Sequence, residues 1–322
     1  MVEKVCKTLD EQLDILESRG VIISDRQRVK NYLLTNNYYN IINGYSKPFL
    51  KQKEKYFNGT NFDEIKYLYF FDEEMKRLLF NSILLAEHHI KSIFSYRFAE
   101  CFSDQRYAYL DIHSYDPKKV LKVGRLISQL SNILKKNDCH KGNAINYYIH
   151  KYHEVPIWVL VDFVDFGQLC FLLDYVNPVL KNKIALDLTS FIESNIENVS
   201  DRFAPEIMLS LVQNIREVRN ICAHNKRLLY YECREDSLYF PPLDKKYNIK
   251  NTDQRRNIYT TFLSLQCFIS EIEFAELNNS IRKRMNKVLI KHISTIDTND
   301  IIRLYGFPND WSKKAALPQI NK

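Results

Sequence analysis

A chain of 322 residues is long enough to bury one large core, or two of ordinary size, without help from metals or disulfides. With 45% hydrophobic, 26% charged and 13% aromatic residues, it has the make-up of a globular protein and excludes a disordered one. Seven glycines and nine prolines are too few for the turns and phosphate loops of an all-β or doubly wound fold, and the formal charge of +7 favours an anionic partner such as nucleic acid.

The amino-terminal stretch MVEKVCKTLDEQLDIL lacks the apolar centre of a signal peptide, since Lys4, Lys7, Asp10 and Glu11 interrupt it. The seven cysteines are scattered, with no Cys-x-x-Cys pair, as expected of reduced thiols. A cytoplasmic location is the expectation. Residues 8–19 set Leu9, Leu13 and Leu16 at helical spacing, with Gly20 as C-cap. The next helix takes Ser24 or Asp25 as N-cap, buries Val29, Leu33 and Leu34, and stops at Asn43–Gly44. After Asn61 the apolar residues recur at three and four through Ile65, Leu68, Phe71, Met75, Leu79, Ile83, Ile90 and Phe94, which predicts one long helix or two abutting ones.

Residues 103–155 are polar and broken, and read as a helical hairpin with exposed loops. The apolar stretch 157–176 reads as a buried helix pair or a helix broken at Gly167. Its Asp162, Asp165, Gln168 and Asp174 argue against a membrane span. A helix over 205–230 follows, then a break at Pro241–Pro242 and two more helices near 255–276 and 280–292. The expected fold is therefore all-α: a helical core over 61–235, a helical segment over 1–60 before it and a helical extension over 236–322 after it.

The helix over 205–230 carries the chemistry. At ~100° per residue, Leu211, Ile215, Val218 and Cys222 fall within roughly 40° of one another and form an inward stripe. Arg216, Asn220, His224 and Arg227 cluster in an arc of roughly 80° on the opposite side, with no carboxylate among them. Solvated helix faces usually mix signs. A basic surface stripe with a partner-free histidine is the plain reading of that arc.

The string Arg219-Asn220-Ile221-Cys222-Ala223-His224 resembles the HEPN ribonuclease signature, an arginine, a polar residue and a histidine a few positions on. Other stretches, in the proper order, resemble the AbiD/AbiF abortive-infection family: Asn36-Asn37-Tyr38-Tyr39 with Gly44-Tyr45, the Glu87 helix ending near Tyr96-Arg97, Pro156-Ile157-Trp158-Val159-Leu160-Val161 with Phe166-Gly167, and Gly306-Phe307-Pro308 with Trp311. They span almost the whole chain. The resemblance implies a HEPN-like bundle and a metal-independent endoribonuclease of toxin type that needs no cofactor. It also implies control by a small structured antitoxin RNA, and a homodimer whose motif helices face each other. The roles it implies suit the residue types. His224 transfers a proton near neutral pH, Arg219 holds phosphate oxygens bidentately, and Asn220 orients the imidazole or the substrate. On a regular helix Arg219 projects roughly 140° from His224, so a composite site built from two chains is expected. The rival reading is a non-catalytic RNA-binding or sensing module that uses the same basic face.

Further candidates are weaker. Cys139, His140, His150 and His153 match no strong zinc spacing. Asp162 and Asp165 suit capping better than acid–base work. Glu87 either supports Arg219 or Arg216, or pairs with Lys91 at i+4. Arg282, Lys283, Arg284, Lys287 and Lys291, with no acid between them, form the best candidate for an RNA-backbone patch, alongside Arg216 and Arg227.

Overall fold

The computed structural model describes residues 6–314. The first five residues of the amino-terminal stretch read above lie outside the described residues. Helices account for most of the structure, and the single sheet among the described residues is a short hairpin of β1 (Leu50–Gln52) and β2 (Lys55–Tyr56). The chain is all-α in class.

The first helix, α1 (Leu9–Ser18), begins at a capping box between Thr8 and Glu11 and is followed by Gly20 at φ +96°. Asp25 caps α2 (Arg26–Asn36) by accepting the Arg28 N–H at 2.9 Å. Leu34, expected in the core, is 72% exposed, because the buried stripe of α2 is confined to Val29 and Leu33. Asn37, at φ 55°, breaks the helix and caps α3 (Tyr38–Tyr45) through the Tyr39 N–H at 3.0 Å. The helix ends at Tyr45, one residue past the expected stop at Asn43–Gly44. Gly44 lies inside α3, where a Cβ would stand 3.2 Å from Arg227 Nη1, so it marks a close approach.

One helix, α4 (Phe62–Cys101), runs for 40 residues, about 60 Å at 1.5 Å per residue. It is the axis of the molecule, with α3 packed along it. The hairpin of α5 (Val120–Asp138) and α6 (Ala144–Tyr152) follows as expected. The break in the 157–176 stretch falls earlier than Gly167. A short α7 (Ile157–Leu160) passes into a 3-10 turn, Val161–Phe163, and Asp165 starts α8 (Phe166–Tyr175) with a capping box to Gln168. Then come α9 (Pro178–Asn195), α10 (Pro205–Ala223), α11 (Pro241–Lys246) and α12 (Ile258–Ser264). The two closing helices expected near 255–276 and 280–292 are divided elsewhere. Ser270 and Glu273 form a capping box that starts α13 (Glu271–Arg284), which runs on without a break into a π segment, Met285–Ile290. The short α14 (Thr298–Arg303) and α15 (Trp311–Lys314) end the described chain.

Along α4 pack α7, α9, α10, α13 and the π segment, and buried residues from Leu13 to Trp311 join in one core. Two carboxylates of α4 tie in distant segments. Glu64 accepts the Ser294 N–H at 2.7 Å, the Thr295 N–H at 3.0 Å and both hydroxyls of that pair. Asp72 is fully buried and is described with the site it supports. The Gly306-Phe307-Pro308 and Trp311 stretch is structural: Phe307 and Trp311 pack with Tyr259 and Phe262, and a Cβ on Gly306, at φ +88°, would collide with the Asn257 side chain.

Candidate functional site

Pro205 and Glu206 open α10 with a fixed φ and an acid in the first turn, both suited to a helix N-terminus. Its buried side is broader than the expected stripe: Met208, Leu211, Val212, Ile215 and Val218 are joined by Asn214, whose amide donates to the carbonyls of Glu235 and Arg255 at 3.2 Å each. With α4, α8, α9 and α12 around it, α10 leaves one edge open. The helix does not reach residue 230. Asn225 turns left-handed at φ 49°, its N–H bonds the Cys222 carbonyl at 3.1 Å, and the Lys226 N–H bonds the Ile221 carbonyl at 2.9 Å. That is a Schellman stop with asparagine in the place of glycine.

This early stop divides the expected cluster. His224 becomes the C-cap residue and is exposed, its backbone N–H bonded to the Asn220 carbonyl at 3.1 Å. The half-buried Asn220 side chain makes no hydrogen bond to the imidazole. Arg227 leaves the shared face altogether, because the chain has ceased to be helical before it. Its Nη1 donates to the Gly44 carbonyl at 2.8 Å, and its guanidinium lies 5.7 Å from the centre of the Tyr230 ring. The expectation that Arg227 joins the open face is corrected: it clamps the loop to α3.

The other two arginines stay on the open edge. Arg219 turns toward α4, with its guanidinium 5.8 Å from the Phe80 ring centre, and its Nε–H is buried without a hydrogen-bond acceptor. Arg216 lies 5.4 Å from the Phe171 ring centre and contacts Gln213 at 3.4 Å. Gly167 makes room for it, since a Cβ there would stand 3.2 Å from Arg216 Nη2. Neither guanidinium forms an ion pair, whereas Arg97 and Arg284 each hold a carboxylate. The expected support from Glu87 does not form. Lys91, one turn along the same face, takes Glu87 Oε1 at 3.0 Å and the Val164 carbonyl at 2.9 Å, and Glu87 Oε2 is buried without a partner. Burial pushes the thiols of Cys170 and Cys222 up to about 12, so neither is a ready nucleophile near neutral pH.

The loop after His224 is held from below by α4. Lys76, buried, donates to the Asn225 side-chain oxygen and to Glu73. Asp72 accepts four bonds: the Leu229 N–H at 2.9 Å, the Leu228 N–H at 3.2 Å, and the hydroxyls of Tyr45 and Tyr305 at 2.8 Å each. Burial pushes the Asp72 carboxyl above its ordinary range, opposed by the two tyrosine hydroxyls and by Lys76. This hub was missed in the sequence, although it left a signal. Asp72 stands at the apolar phase Leu68–Asp72–Met75–Leu79 of α4, where a carboxylate needs a dedicated set of donors.

The basic cluster of the last long helix is only partly free. Arg282 Nε donates to the Ser312 carbonyl at 3.2 Å, and Arg284 holds Glu74 at 2.9 Å, while Lys283, Lys287 and Lys291 stay exposed. His150 pairs with Asp138 at 3.2 Å. Among the described residues, no three His, Cys, Asp or Glu side chains are grouped to hold a metal ion. Asp162 is exposed, and Asp165 serves as the cap. No helix of the described residues is long and apolar enough to cross a membrane.

Comparison with known families places this geometry in context. Residues 31–230 match the model of the Abi-like protein family, over well more than half of the chain and through the whole of the Arg219–His224 stretch. No curated protein and no solved structure matches significantly.

Proposed function

Because the chain belongs to the Abi-like protein family, we propose that it acts in abortive-infection defence, as a HEPN-type endoribonuclease working through the 2′-OH of its RNA substrate. The observation that carries this reading is Arg219: a guanidinium without a carboxylate partner, seated on Phe80, with a buried Nε–H that lacks an acceptor. A buried donor without a partner costs free energy, and a phosphate oxygen would satisfy it.

In the proposed reaction the 2′-oxygen attacks the adjacent phosphorus and the 5′-oxygen leaves, giving a 2′,3′-cyclic phosphate and a 5′-hydroxyl. His224, free in solvent, transfers the proton. Arg219, with Arg216 beside it, stabilises charge on the scissile phosphate, and Asn220 contacts substrate. Arg219 turns to α4 whereas His224 lies past the helix end, so we assign the complete site to a homodimer in which two α10 helices meet across a two-fold axis. Leu84 and Leu85 of α4, 40% and 39% exposed, supply apolar surface for that contact. The chemistry belongs to residues 61–235, flanked by the segments 1–60 and 236–322. RNA is the substrate, and a small structured antitoxin RNA is the proposed regulator.

The test is direct. Purified protein incubated with cellular RNA in EDTA should leave 2′,3′-cyclic phosphate ends, and the His224→Ala protein should leave none. The separation of Arg219 from His224 within one chain also supports a second reading, a non-catalytic RNA-binding module. Binding without cleavage at any protein concentration would establish that reading.

A further inference from the structure

At the far end of α4 lies a cavity of about 220 Å³ lined by Phe98, Phe102, Tyr107, Tyr109, Glu154 and Trp158, with Ala99 and Gln105 among its remaining walls. Twenty-two residues of α4 separate Phe98 from Lys76, which holds the loop beside His224, a distance of roughly 33 Å. The cavity therefore belongs to no part of the proposed cleavage site.

Its walls are fixed. The Phe98 and Phe102 rings pack 4.7 Å apart, Tyr109 meets Tyr107 edge-on at 6.0 Å, and the Tyr109 hydroxyl donates to the Val155 carbonyl at 2.6 Å. Tyr107 is held at φ 52°, a conformation uncommon for so bulky a side chain. Trp158, by contrast, is 55% exposed, which leaves much of a large aromatic surface without a protein partner. The stretch Pro156-Ile157-Trp158 is one of those the sequence marks out, and the proposed ribonuclease chemistry leaves it unused.

The polar groups narrow the ligand. Glu154 is the one side chain in the lining that is ordinarily charged near neutral pH, so an anion is a poor fit for the inserted part of a ligand. A carboxylate there accepts hydrogen bonds; its Oε2 also pairs loosely with Arg106 Nε at 3.4 Å, and the largely exposed Arg106 side chain lies outside the lining and can turn to a phosphate. Aromatic faces, an acceptor carboxylate and an external cation together suit a planar, neutral, nitrogen-rich ring carried on a phosphate. We infer that this cavity binds a single unpaired nucleobase, with guanine preferred, because its adjacent N1–H and N2–H present two parallel donors to the two oxygens of Glu154. The base comes either from a free mononucleotide or from an unpaired position of an RNA chain.

Tryptophan fluorescence tests this, because Trp158 is one of two tryptophans and the other, Trp311, is buried. Guanosine 5′-monophosphate, or a single-stranded oligoribonucleotide containing guanosine, should quench the emission saturably, and Trp158→Phe should abolish the quenching. Saturation by the mononucleotide identifies a free-nucleotide site; saturation by the oligonucleotide alone identifies a base pocket for RNA. Glu154→Gln should weaken binding roughly tenfold or more and erase the preference over uridine. Ala99→Phe should fill the cavity and block either ligand, with circular dichroism confirming the fold. No saturable quenching by either probe, equal binding of guanosine and uridine by the parent, or an undiminished guanosine preference in Glu154→Gln overturns the inference. Since no step requires cleavage, the result stands apart from the ribonuclease reading.

Discussion

Replacing Asp72 should damage this protein more than almost any other single change. Its carboxylate receives two backbone N–H groups and two tyrosine hydroxyls at 2.8–3.2 Å from three separate parts of the chain. Asp72→Ala leaves four buried donors without an acceptor. At about 1–3 kcal/mol for each orphaned group, even the lower bound totals ~4 kcal/mol, a large fraction of the ~5–15 kcal/mol that holds a typical domain folded. Asp72→Asn keeps one acceptor oxygen and should cost about half as much. Urea unfolding followed by far-UV circular dichroism reads both values. Tyr45→Phe combined with Tyr305→Phe removes two of the donors beforehand, so the cost of Asp72→Asn in that background should fall by ~1 kcal/mol or more. An Asp72→Ala protein within ~0.5 kcal/mol of the parent, the range of ordinary surface changes, would refute the hub.

The remaining predictions concern site and surface. His224→Ala and Arg219→Gln should each abolish growth arrest on expression; His224 is exposed, so its melting temperature should hardly move, while loss of the Arg219 stack on Phe80 should cost about 0.5–1 kcal/mol. Arrest by both variants at parental levels would end the catalytic assignment. Neutralising Lys283, Lys287 and Lys291 should flatten the log–log salt dependence of single-stranded RNA binding by roughly 0.7 for each phosphate that the variant no longer neutralises, whereas Arg284→Gln should act on stability by leaving Glu74 with Arg77 as its one ion pair; an unchanged slope would make the lysines bystanders. Burial pushes the Glu64 carboxyl up, but the bonds from Ser294 and Thr295 outweigh it and hold it below its ordinary 4.5. Its stabilisation is thus complete above that value and lost as pH falls through the lower folded one, so acid should release the Ser294–Thr295 amides to hydrogen exchange. Identical pH dependence in Glu64→Gln would contradict this. Light scattering should give twice the chain mass at micromolar concentration, and active protein that remains monomeric would exclude the composite site.

Much of the fold was legible because helices announce themselves locally. The helix over 8–19, the cap at Asp25, the helix start after Asn61, the capping role of Asp165 and the three-four spacing of α4 all correspond to elements in the structure. The errors arose where a neighbour distant in sequence decides the outcome. Gly44 and Gly167 read as helix breakers, yet each lies inside a helix and makes room for an arginine, Arg227 in one case and Arg216 in the other. The end of α10 was misplaced because Asn225 does what glycine usually does, and that displacement removed Arg227 from the face on which it had been drawn. The pairing of Glu87 with Lys91 is local and was foreseen as one alternative. That Arg219 has no acceptor is a property of the packed interior, which no helical wheel contains.

The Asp72 hub also sets a schedule. Tyr305, one of its four donors, lies 233 residues downstream, and a ribosome adding roughly 5–20 residues per second needs about 10–50 s to cover that interval. For the last part of it, the 81 residues from His224 to Tyr305 and about 4–16 s at that rate, a nascent chain carries Arg219 and His224 beside a loop that hangs from an incompletely ligated carboxylate. The region proposed to cut RNA thus reaches its final support among the last events of synthesis, after most of the chain has already left the ribosome.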